Sequence, residues 1–73
     1  MGEMKIKAEV AGRVCALPLA VGAAVEPGDS IAVVEAMKME IPASSPAAGK
    51  IKMILVSVDD VVEEGQPLAV LEV

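Results

Sequence analysis

The chain has 73 residues and a formal charge of −5, with one cysteine and no histidine, aromatic residue, threonine or asparagine. That inventory excludes a zinc site built from several His or Cys ligands and any Ser-His-Asp or Cys-His nucleophile. An acidic balance with scattered cations argues against nucleic acid as a partner, and no apolar run approaches a membrane span or the core of a signal peptide.

About 70 residues leave little room for a substrate pocket of ~300 Å³ or more, which argues against an autonomous enzyme. The apolar residues are aliphatic and largely branched, so strands are favoured. A lone cysteine fits a reducing, cytoplasmic setting.

In chain order, "GRVCAL" is the first strand-like segment, and "VEPGDS" supplies a turn in which Pro27 and Gly28 suit the central positions of type II. The strand "IAVVE" follows, apolar on successive residues and therefore expected to be covered on both sides. The chain must then reverse at "AMKM" before the apolar segment "MEIPA". Next, "GKIKMIL" alternates Ile51, Met53 and Leu55 with Lys50 and Lys52, predicting a strand with one apolar and one cationic face. "VEEGQP" around Gly65 is a second turn, and "LAVLE" a final strand. No segment has helical periodicity of useful length.

This order repeats. Residues 11–36 align with residues 48–73 without a gap at a constant offset of 37, which takes Ala11, Gly12, Val25, Glu26, Gly28 and Glu35 to identical residues. The chain is thus expected to be a single domain, residues 1–73, made of two equivalent units, 1–36 and 38–73, related by a pseudo-twofold. Two small antiparallel sheets packed as a flattened barrel or sandwich satisfy this pattern. The seam falls at Met37, so Lys38 is expected at one pole and residues 1 and 73 at the other.

The reversal at the seam lacks the Gly or Asn that a tight type I′ hairpin normally uses, since both central residues need φ > 0. Sequences break such local rules preferentially at functional sites. Period-two alternation would place Met37 and Met39 on one side of the chain and Lys38 on the other.

The stretch "EAMKME", Glu35 to Glu40, resembles the biotin attachment motif of biotinyl domains, the carrier domains of biotin-dependent carboxylases, decarboxylases and transcarboxylases. The resemblance covers nearly all of the chain. It implies the biotinyl/lipoyl fold, an all-β flattened barrel of two four-stranded antiparallel sheets with the motif in an exposed hairpin. By the same resemblance, Lys38 is the residue whose ε-amine is joined to biotin. Met37 and Met39 belong to the surface recognised by the biotin–protein ligase and by the carboxylase active sites. Ala36, Glu35 and Glu40 are further candidates for recognition. The implied partners are the biotin–protein ligase, a biotin carboxylase and a carboxyltransferase or decarboxylase subunit, between which biotin shuttles a carboxyl group.

Two departures qualify the match: "AEVAG" stands where many members have a segment like "APMPG", and the gapless repeat leaves no space for the protruding thumb of some carriers. A lipoyl-type acyl carrier is the nearest rival, disfavoured by the flanking methionines; an unmodified structural barrel is the rival from another class. "DDVVEEG" reads as a solvated acidic turn because calcium loops require a different ligand spacing. Cys15 corresponds to Lys52 in the repeat, which places it on the more polar face of its strand, with no histidine to activate it.

Overall fold

Short runs of branched residues punctuated by Gly and Pro form eight strands in the computed structural model, which describes residues 2–73. They are β1 (Glu3–Lys7), β2 (Gly12–Ala16), β3 (Ala24–Val25), β4 (Ser30–Ala36), β5 (Met39–Ser44), β6 (Gly49–Ile54), β7 (Val61–Val62) and β8 (Pro67–Glu72). No helix occurs among the described residues, and so none long and apolar enough to cross a membrane.

The strands form two four-stranded antiparallel sheets, ordered β1-β8-β6-β3 and β5-β4-β2-β7. Adding 37 to each residue number turns β1 into β5, β4 into β8, β2 into β6 and β3 into β7, so one sheet order is the image of the other. The same operation relates the details. Glu3 lies opposite Glu72 in the first sheet and Glu40 opposite Glu35 in the second. The register shift between Val14 and Ala16 recurs between Ile51 and Met53.

The core obeys the dyad too. Its eight largest fully buried side chains are Val14 and Ile51, Val25 and Val62, Ile31 and Leu68, and Val34 and Leu71, four pairs related by the offset. Burying an aliphatic side chain of this size stabilises by roughly 1.5–3 kcal/mol, so the interlocked halves supply each other's core. The central strands are covered as expected: Ile31, Ala32 and Val34 are buried in β4, and Leu68 to Leu71 without interruption in β8.

Turns match where their chemistry is visible. Gly28 and Gly65 have φ of 93° and 83°, and each turn closes with an amide-to-carbonyl bond of 3.1 Å, from Asp29 to Glu26 and from Gln66 to Glu63. This is the type II geometry predicted from Pro27–Gly28. A second turn pair, Ala20–Ala23 and Ser57–Asp60, was not anticipated; it has Gly22 at φ 90° in one copy and Asp59 at φ 79° in the other.

The predicted alternation in "GKIKMIL" holds only as far as Ile51, which is buried. Met53 and Leu55 are exposed, and the partly buried Ile54 packs on the core instead. The cause is the bulge opposite β8, since one extra residue in a strand moves every later side chain to the other face.

Candidate functional site

Strand β4 brings Ala36 to the rim of its sheet, where it pairs with Met39, the first residue of β5. Only Met37 and Lys38 lie between them. Both are left-handed, with φ of 52° and 65°, as a two-residue hairpin with a type I′ turn demands. Left-handed φ at a residue with a Cβ costs on the order of 1–3 kcal/mol and persists only where the surroundings over-determine it. Here the β4–β5 ladder does so, running from Ser30 and Ser44 up to the tip.

The turn corrects the expected alternation. Because Met37 and Lys38 are not extended, the tip has no two opposed faces: Met37 is 92% and Met39 64% exposed, and Lys38 is exposed beside them. Two thioether side chains therefore stand in water on either side of an ammonium that forms no ion pair among the described residues. Ala36 is buried at the base of the hairpin, and Glu35 and Glu40 flank it as exposed carboxylates.

Below the tip, Val61, Arg13, Glu35 and Glu40 form one row across the sheet. The Arg13 guanidinium donates to Glu35 at 3.2 Å and to Asp59, tying β4 and β2 to the turn that precedes β7. Hydrogen bonding to Glu35, and then to Asp59, raises the Arg13 pKa above its ordinary value. Gly12 packs so tightly on the Glu35 carbonyl oxygen that a Cβ there would overlap it. Sequence reasoning passed over Gly12, Arg13 and Asp59. The glycine had left a signal, since Gly12 and Gly49 match in the repeat and Gly49 meets the Glu72 carbonyl in the same way.

The hairpin is remote from the ends of the chain. Strand β5 leaves the tip and covers ~17 Å at ~3.3 Å per residue, and by Gly49 the backbone adjoins Glu72. There Gly2 and Val73 exchange two backbone hydrogen bonds of 2.9 Å. This pair is the dyad image of Met39 and Ala36, at the far end of a molecule 36 Å long and 17 Å across.

The Lys38 amine is primary, exposed and without an ion pair among the described residues, and the β4–β5 ladder fixes the turn that presents it. Comparisons with known proteins give this two-sheet β-barrel with its exposed hairpin a family. The family model described as "Biotin-requiring enzyme" matches residues 5–71, and the chain belongs to this biotin/lipoyl attachment family.

Among its relatives, the chain is similar to the biotinylated protein TB7.3 homolog of Mycobacterium leprae (strain TN), 35% identical over 66 residues, covering 90% of this chain and 93% of that one. It is also similar to the biotin/lipoyl attachment protein of Bacillus subtilis (strain 168), 32% identical over 65 residues and 89% of each. Among solved structures, the urea carboxylase of Kluyveromyces lactis superposes with a TM-score of 0.93 and 35% identity over 99% of this chain. A single-chain, multi-domain long-chain acyl-CoA carboxylase gives 0.89 and 36% over 94%. The chain spans only 6% and 7% of those two proteins. It is thus a biotin carboxyl carrier-like domain of the kind found within carboxylases.

Proposed function

We propose that the chain is a biotin carboxyl carrier domain, with biotin joined as an amide to Lys38 Nζ. The observation that carries this reading is a lysine at a two-residue hairpin, with no ion pair among the described residues and framed by methionines 92% and 64% exposed. When bound, biotin supplies the carboxyl-transfer chemistry, between a biotin carboxylase and a carboxyltransferase or decarboxylase.

This chain's own residues present, orient and dock. The left-handed turn holds the Lys38 Cα outward, and the flexible four-carbon stem adds reach. Met37 and Met39 offer polarisable apolar contacts that adapt to more than one enzyme surface, which suits a domain that a ligase and two active sites must each engage. The barrel contributes a rigid handle, with its ends at the opposite pole. A reducing cytoplasmic setting suits the free Cys15.

Intact-mass measurement after co-expression with a biotin–protein ligase tests the reading. Wild type is expected to gain the mass of one biotinyl group, located by peptide mapping at Lys38, and Lys38→Arg to gain none. An adduct at another lysine, or a lipoyl adduct in place of biotin, would overturn it.

A further inference from the structure

The dyad exposes a difference between the two poles. In the first sheet, Glu3 and Glu72 face each other directly; Lys52 bonds to Glu3, while Lys50 lies opposite Glu72 in the register without forming an ion pair with it. In the second sheet, Glu40 and Glu35 face each other in the same register. Arg13 occupies the place of Lys50, but it is shared between Glu35 and Asp59. The place of Lys52 is held by Cys15, at the same bulge.

Glu40 therefore forms no ion pair among the described residues, although it lies directly across from a second carboxylate. Like charges directly opposite each other on one sheet face destabilise the pair. The strands of the first sheet contain Lys5, Lys7, Lys50 and Lys52, whereas those of the second contain Arg13 alone. One residue separates Glu40 from Lys38, and it is the exposed Met39.

We infer that Glu40 is an open docking point for a cationic side chain of the enzyme that modifies Lys38, left unpaired because position 15 lacks the lysine that closes the equivalent acid at the far pole. This rests on the proposed function. Its energetic logic is that of a charge at the rim of an interface, which acts chiefly on encounter rate and on salt dependence. Glu35, held by Arg13, contributes less.

The experiment compares kcat/KM for biotin transfer by a biotin–protein ligase to wild type, Glu40→Gln, Cys15→Lys and Glu3→Gln, at low and high salt, with thermal melts of each. Glu40→Gln removes the docking charge, and Cys15→Lys covers it with the missing internal partner. Each is expected to lower kcat/KM roughly three- to tenfold at low salt and by less at high salt. Cys15→Lys is also expected to melt higher than wild type. Glu3→Gln, which changes the net charge by the same unit at the far pole, is expected to match wild type in kcat/KM.

Unchanged kinetics in both Glu40→Gln and Cys15→Lys, or an equal loss in Glu3→Gln, would overturn the inference. Wild type that accepts no biotin at Lys38 would overturn the proposed function and this inference with it. Normal biotin transfer with flat kinetics across the series would overturn the inference alone.

Discussion

Gly12 and the carbonyl oxygen of Glu35 are in such close apposition that no side chain fits between their strands. The contact lies three residues before the tip lysine, so it fixes the height of β4 just where the hairpin emerges.

Replacing that glycine should therefore act on the tip through the backbone. Gly12→Ala is expected to lose about 1–3 kcal/mol by overpacking, and Gly49→Ala a similar amount, because Gly49 meets Glu72 in the dyad-related position. Their effects on modification should diverge, with ligase kinetics impaired by the first and not by the second. Chemical denaturation beside a biotin-transfer assay checks both halves of the expectation.

At the tip, stability and recognition should trade against each other. Met37 holds φ at 52° without being glycine, so Met37→Gly is expected to gain about 1 kcal/mol, or ~4–8 °C in melting temperature for a domain of this size. The same substitution removes the most exposed thioether, and kcat/KM for biotin transfer should fall. A variant that melts higher and is modified as well as wild type would show that Met37 is not read.

Core truncations should come in equal pairs. Ile31→Ala and Leu68→Ala empty dyad-related sites that are both fully buried, so each is expected to cost about 2–5 kcal/mol, most of the stability of so small a domain. Urea midpoints of the two variants should fall together; a large inequality would mean that the halves contribute unequally to the fold.

The Lys52–Glu3 pair predicts an alkaline dependence. The hydrogen bond to Glu3 raises the Lys52 pKa above its ordinary value of 10.5. A cation whose pKa is raised on folding contributes its full stabilisation below the ordinary value and loses it as pH climbs through the raised one. Melting temperatures of wild type and Lys52→Gln should thus differ at neutral pH and converge above about pH 10.5. Both partners are largely solvent-exposed, so the neutral-pH gap should be small.

The sheets and the exposed tip were legible because the information is local or repeated. Matched glycines set the two copies in register, and Pro27–Gly28 specified its turn by φ alone. Met37 and Lys38 betrayed a forced turn by lacking the residues such a turn prefers. The misplacement of Met53 and Leu55 has a different origin: a bulge arises from pairing with a distant strand, and nothing within "GKIKMIL" marks it. Arg13 was passed over for the same reason, since its partners lie 22 and 46 residues away. Asp59 was hidden because the repeat places a glycine there in only one copy, and aspartate is among the few other residues that tolerate left-handed φ.

The hydrogen-bonded meeting of Gly2 and Val73 reproduces the base of the tip hairpin, with the two-residue turn left out. A circular permutant that joins Val73 to Gly2 through Met-Lys, and opens instead at Pro27–Gly28, would close a twin hairpin at the blunt end. The barrel is in that sense a symmetric chassis fitted on one side, and a bivalent acceptor with one arm at each end of its 36 Å long axis is within its geometry.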